Sequence, residues 1–243
     1  MLQLIRKVGK IDQKKYNVFI ACDTTSLSEV KKIIRLTKNK HLNIGYKFGL
    51  EFFNSKSGRG FVSNLPKNNA AWLDLKLMDI PNTVASSIYS LKDLKNANYL
   101  TVHASGGYEM MKAAKQAAQK SNKNLKVLAV TVLTSFSEPS IRQTGHTKKI
   151  KNIVVQQVAL AKKAGVDGIV CSGHEVKLIK NICKGMQIIT PGIRLAGDSK
   201  QDQKRVMTPM QAFNNGATGI VIGRSITKGN IKHNIQKLIT SLK

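Results

Sequence analysis

Short apolar runs rich in β-branched residues alternate with stretches of helical period along the chain. Eight such runs stand at 18–23, 44–48, 71–76, 99–103, 127–132, 168–171, 187–190 and 219–222. Runs this short and this apolar suit parallel strands, which are covered on both faces. Between them the period becomes helical. Val30, Ile33, Ile34 and Thr37 share one face, and Ser26 followed three residues later by Glu29 reads as a capping box. Ile150, Ile153, Val154, Gln157, Val158 and Ala161 form another stripe that stops near Gly165, where a left-handed cap is expected. Ile231, Ile235, Leu238, Ile239 and Leu242 make a last stripe able to close an outer ring of helices. Strand and helix in strict alternation predict an α/β fold, a (β/α)8 TIM barrel, with residues 1–243 as a single domain. No Pro/Gly/Ser-rich linker divides the chain, and no repeat is plain beyond the alternation itself.

Composition narrows the class. The hydrophobic content of 42% fits a soluble protein, and no apolar run approaches the ~18 residues of a membrane span. Near the start, Leu2, Leu4 and Ile5 are too few for a signal-peptide core, so a cytoplasmic protein is expected. Cys22, Cys171 and Cys183 show no close pairing, and His41, His103, His146, His174 and His233 lack the spacing of a metal site. Neither a disulfide nor a metal or other cofactor is implied.

Charge adds a complication: 40 Lys+Arg against 13 Asp+Glu leave a net +27. Such a field attracts nucleic acid, and equally a phosphorylated small molecule. The lysines are spread along the chain without a basic arm or interleaved aromatics, which favours a solvated surface over a specific nucleic-acid site.

Candidate chemistry lies at the end of the third run. Alternation puts Asp74 and Lys76 on one face with Leu75 on the other. Two charges facing a barrel interior are either a buried ion pair or a site, and barrel enzymes place their chemistry at the C-terminal ends of strands. The stretch 195–209 is the longest without periodicity and follows the seventh strand, where phosphate sites are commonly built. Arg224, beside Gly223 after the eighth strand, is either a phosphate ligand or one more surface arginine. His103 ends the fourth run and reads as a structural histidine rather than a base.

The run Leu73-Asp74-Leu75-Lys76-Leu77-Met78-Asp79-Ile80-Pro81-Asn82-Thr83-Val84 resembles the signature of the orotidine 5'-phosphate decarboxylases. The resemblance extends in order through Ala21-Cys22-Asp23, Tyr46-Lys47-Phe48-Gly49, Val102-His103-Ala104-Ser105-Gly106-Gly107, Val130-Thr131-Val132-Leu133-Thr134-Ser135, Thr190-Pro191-Gly192-Ile193-Arg194 and Ile222-Gly223-Arg224. It implies a cofactor-independent lyase that converts orotidine 5'-monophosphate (OMP) to uridine 5'-monophosphate (UMP) and carbon dioxide, the last step of UMP synthesis. It implies that Lys76 delivers a proton to C6 of the pyrimidine within a network of Lys47, Asp74, Lys76 and Asp79, with Asp79 and Thr83 supplied by the second subunit of a homodimer. Asp74 would stand beside the departing carboxylate. Arg224, Gly223 and Gln203 would hold the phosphate, Asp23, Lys47 and Thr83 the ribose, and Thr134 the pyrimidine edge, with Arg194 at the substrate site. Without the resemblance, Thr134 and Thr83 would read as ordinary strand-end and helix-start residues.

The sequence departs from the family pattern at Cys22, where leucine is frequent, at Leu195, where proline is common, and at Gln201, where glycine is usual. Two rivals are kept in view. A sugar-phosphate enzyme of the same barrel would use the acidic residues to hold magnesium. A nucleic-acid-binding protein would explain the charge.

Overall fold

The computed structural model describes residues 16–66, 69–198 and 205–242. Each apolar run becomes a strand: β1 (Asn17–Ala21), β2 (Asn43–Gly49), β3 (Ala70–Leu77), β4 (Ala97–His103), β5 (Lys126–Val130), β6 (Gly168–Val170), β7 (Gln187–Thr190) and β8 (Gly219–Ile222). All neighbours are parallel and β8 pairs with β1, so the sheet closes into the expected (β/α)8 barrel. β5 is shorter than its apolar run because the chain leaves the ladder after Val130. Thr131 keeps one rung, donating its N–H to the Val170 carbonyl at 3.0 Å.

Side-chain alternation sorts each strand into an outer and an inner face. Val18, Ile20, Phe48, Leu73, Leu100 and Val102 face the helices. Phe19, Ala21, Trp72, Leu128, Val130, Val170, Ile189 and Val221 form a separate cluster inside the barrel, with Tyr99 against it. The Phe19 ring meets Trp72 and Tyr99 edge-on, with centroids 5.0 and 5.1 Å away. Room for these rings comes from glycine on β2, since a Cβ at Gly45 would lie 2.7 Å from the Phe19 ring. Large and small residues thus complement one another in filling the interior.

Helix boundaries follow local chemistry. The helix Ile150–Lys163 ends as its sequence predicts: Gly165 takes φ +75° and donates to Lys162 O at 3.0 Å, while Val166 donates to Ala161 O at 3.3 Å. This bond pair is the Schellman stop. The start of the helix Leu27–Thr37 departs from the expected reciprocal box. Ser26 Oγ accepts the Glu29 N–H at 3.3 Å, but Thr24 donates its hydroxyl to the Glu29 carboxylate at 2.8 Å and accepts the Ser26 N–H at 3.2 Å. The shorter Thr24 side chain therefore takes the place expected of Glu29. A reciprocal box forms instead between Thr208 and Gln211, ahead of the helix Pro209–Asn215. The helix Ile231–Ser241 buries its stripe as expected.

The loop after β7 is pinned at both ends. Arg194 N–H donates to Met207 O at 3.0 Å, and Met207 N–H donates to Gly192 O at 3.2 Å. Leu195, where the family pattern favours proline, is buried. Gln201 and Gln203 lie outside the described residues, as does the segment 1–15. Among the described residues no helix is long and apolar enough to cross a membrane.

Candidate active site

Asp74 and Lys76 come together for a different reason from the one alternation offers. β3 is in step with β4 at Leu73↔Leu100 and again at Leu77↔Val102, so Asp74, Leu75 and Lys76 oppose the single residue Thr101. The surplus is taken up in a bulge. There Lys76 adopts φ +49°, the only positive φ at a non-glycine position among the described residues. The left-handed region costs an ordinary side chain ~1–2 kcal/mol. Surrounding bonds hold it: Lys76 Nζ lies 2.8 Å from Asp74 Oδ2, and Lys76 N–H donates to Thr101 Oγ1 at 3.0 Å.

Asp74 is the hub. Its Oδ2 also lies 3.1 Å from Lys47 Nζ, and its Oδ1 accepts the Thr101 hydroxyl at 2.9 Å. Lys47 continues to Asp23 Oδ1, again at 3.1 Å. Four charges, from β2, β3 and the loop that follows β1, therefore alternate in sign across the barrel mouth: Asp23, Lys47, Asp74, Lys76. The side chains of Lys47 and Asp74 are only 11% and 9% exposed, so neither charge would be tolerated alone. Burial pushes the Asp74 carboxyl up, but Lys47 and Lys76 together outweigh it and hold it below the ordinary carboxylate value. Burial pushes the Lys47 ammonium down, and Asp74 and then Asp23 outweigh it, so its pKa is raised. Both groups stay charged at neutral pH.

These residues line a cavity of about 530 Å³ at the C-terminal ends of the strands. Thr134, Arg194, Gly223 and Arg224 line it as well, so the cavity gathers eight of the residues singled out in the sequence. Trp72 closes its floor. Arg194 is buried and donates Nη1 to the Ile193 carbonyl at 3.0 Å. Gly223 caps the short helix Arg224–Thr227, which follows β8 directly. A Cβ at Gly223 would stand 3.5 Å from Ala21 Cβ, an ordinary contact, so packing within the protein does not by itself demand glycine there.

Two singled-out residues are not brought to this cavity within the chain. Asp79 is exposed, and its Oδ1 accepts the Ile80 N–H at 2.6 Å. Thr83 is exposed on the helix Pro81–Tyr89. Within the chain, Asp23 occupies the outer end of the charge series. His103 is not among the lining residues; burial, then the neighbouring Lys76 charge, lowers its pKa, which keeps the imidazole neutral. Cys22 is buried and its thiol is pushed up to about 12, first by burial and then by Asp23, so it is inert at neutral pH.

Thr101 was not singled out, although the signal was present: alternation puts it on the inner face between Tyr99 and His103, a hydroxyl facing the barrel interior. Arg205 was also missed. It pairs with the buried Glu175 and donates Nη2 to the carbonyls of Leu133 at 3.1 Å and Val132 at 3.4 Å. The loop ends after β5, β6 and β7 are thereby tied together, through contacts up to 73 residues apart in sequence that no local pattern announces.

Similarity to other proteins agrees with this geometry. The profile of the family described as "Orotidine 5'-phosphate decarboxylase / HUMPS family" matches residues 16–234. Orotidine 5'-phosphate decarboxylase of Sphingopyxis alaskensis is 42% identical over 213 residues, which span 88% of this chain and 92% of that protein. The Fusobacterium nucleatum protein of the same name is 41% identical over 231 residues, 94% of this chain and 96% of the relative. The crystal structure of orotidine 5'-phosphate decarboxylase from Lactobacillus acidophilus superposes with a TM-score of 0.80 at 32% identity, covering 94% of this chain and all of that one. On sequence and fold together, this chain belongs to the orotidine 5'-phosphate decarboxylase / HUMPS family.

Proposed function

We propose that this protein is a cytoplasmic enzyme that decarboxylates orotidine 5'-monophosphate to uridine 5'-monophosphate, completing UMP synthesis. The observation that carries the reading is Lys76 Nζ, 2.8 Å from Asp74 Oδ2 on the wall of the cavity that also holds Arg224. In the proposed reaction the bond from C6 to the carboxylate breaks and its electron pair remains on C6. Lys76 then transfers a proton to that carbon, and carbon dioxide leaves. Nothing in this sequence of events needs an electron sink beyond the preorganised charge of the site. Asp74, fixed by Lys47, Lys76 and Thr101, presents negative charge to the substrate carboxylate, while the ammonium groups favour the developing carbanion. Arg224 and Gly223 bind the phosphate, Asp23 and Lys47 the ribose, and Thr134 the ring edge. Binding energy from that remote phosphate can offset distortion at the reacting carbon.

A magnesium-dependent sugar-phosphate reaction suits these residues poorly. Asp74 Oδ2 already meets two ammonium groups and Oδ1 a hydroxyl, a setting that repels a divalent cation.

The reading includes a homodimer in which Asp79 and Thr83 complete the neighbour's site. Its support is the surface around them: Met78 and Ile80, which flank Asp79, are 57% and 67% exposed. Large apolar side chains grouped this way favour cover by another chain.

An absorbance assay for loss of orotidine monophosphate tests the activity. Wild type turns it over, with or without EDTA, and Lys76→Ala does not. Absence of turnover by the wild type, or its loss to the chelator, overturns the reading. Mixing inactive Lys76→Ala with inactive Asp79→Ala tests the shared site, since dimers carrying one intact site regain turnover.

A further inference from the structure

We infer that Thr101 is a positioning residue for the reaction proposed above, on which the inference rests: its one hydroxyl sets the Lys76 backbone and the Asp74 carboxylate in a single geometry. Thr101 is fully buried on β4, opposite the bulge that contains both residues. Its Oγ1 accepts the Lys76 N–H at 3.0 Å and donates to Asp74 Oδ1 at 2.9 Å. A hydroxyl has one hydrogen to give, and here it goes to the carboxylate. The lone pair that receives the amide supplies a rung that the bulged ladder lacks at this level. Lys76 is therefore held in its left-handed conformation, φ +49°, by a side chain from the next strand.

The two bonds act in concert. The amide bond fixes where the Lys76 side chain begins, and the carboxylate bond fixes the group its ammonium end meets 2.8 Å away. Asp74 faces Lys47 from β2, Lys76 from β3, and His103 and Thr101 from β4, with Asp23 from the loop after β1 behind Lys47. Thr101 is the uncharged member of this ring. It orients one carboxylate oxygen, while both lysines converge on the other.

Valine matches threonine in shape and lacks both bonds. Thr101→Val is expected to lower kcat by about ten- to a hundredfold, the loss of a hydrogen bond to a charged group in a preorganised site, with KM changed by less than about threefold. Its acid limb in the kcat against pH profile moves to higher pH, because the carboxylate loses a donor that favours its charged form. Thr101→Ser restores kcat and the profile. A residue that only filled space would leave the profile unmoved and would not distinguish serine from valine. Should Thr101→Val fail to fold, Thr101→Ala carries the same comparison with serine. The Lys76 amide gives a second readout that needs no turnover: by hydrogen exchange it opens at least about tenfold faster in Thr101→Val than in wild type or Thr101→Ser. Wild type without turnover sinks the proposed function and leaves the exchange measurement to decide the role of Thr101. Active wild type with kcat, profile and amide exchange unchanged in Thr101→Val overturns the positioning role alone.

Discussion

Two layers inside the barrel, one side-chain step apart on the same strands, have opposite characters. On β2, Gly45 gives way to Lys47; on β3, Trp72 to Asp74; on β4, Tyr99 to Thr101. The lower layer is apolar and aromatic, with Phe19 packed edge-on against Trp72 and Tyr99. The upper layer is an alternating chain of charge around a strained lysine. Height along the strand therefore decides what a side chain does. The floor supplies packing energy and shape, and the mouth keeps charges in a place that a protein core ordinarily excludes. The floor also seals the lower side of the charged layer, where few waters can weaken the field.

Substitutions one step apart should accordingly separate activity from stability. Lys76→Ala is expected to reduce turnover at least about a thousandfold while leaving the midpoint of urea unfolding close to wild type. A small kinetic effect would remove the upper layer from the chemistry. Trp72→Ala should destabilise by about 3–5 kcal/mol in urea melts, since it removes a large side chain that is buried at the base of the cavity. An unchanged midpoint would mean that the floor contributes little packing.

Asp74→Asn tests the charge chain and should cost about 3 kcal/mol at neutral pH, because it strips Lys47 of its more buried partner. The pH dependence has a definite sign. The folded pKa of Asp74 lies below its ordinary value of 3.8, so its contribution is complete above that pH and is lost as pH falls through the folded value. Lys47 behaves oppositely: its folded pKa lies above 10.5, and its contribution is lost as pH rises through it. The gap between wild type and Asp74→Asn in urea melts should hold steady from about pH 5 to 9 and shrink below about pH 4. A gap undiminished at about pH 2 would show that the carboxylate charge is not its source. The smallest expected effect concerns backbone strain. Lys76→Gly should be more stable than Lys76→Ala by about 1 kcal/mol, since both lose the ammonium but glycine alone relaxes at φ +49°. Equal stabilities would mean the bulge stores no strain at that residue.

Much of the fold was legible in the sequence because its signals are local and repeated. Eight apolar runs predict eight strands, the stripe ending at Gly165 predicts a helix and its stop, and two charges at the end of the third run mark the site. Where prediction failed, a competing contact lay close by. Thr24 displaced Glu29 from the expected reciprocal box because a short hydroxyl lay within reach of the same amide. Asp74 and Lys76 meet by way of a bulge and not by alternation, since their register is set by β4 and not by their own strand.

The sequence by itself determined the order of strands and helices, the apolar layer that would fill the barrel, and the presence of Asp74, Lys76, Arg194 and Arg224 at strand ends, because period and composition are properties of neighbours along the chain. Only the tertiary structure decided that Asp23 and Lys47 close a single chain of charge with Asp74 and Lys76, that Arg205 ties three loop ends to Glu175, and that Thr101 meets the bulge from the next strand. Each of these depends on the distance between residues far apart in sequence, and closing the barrel is what sets that distance.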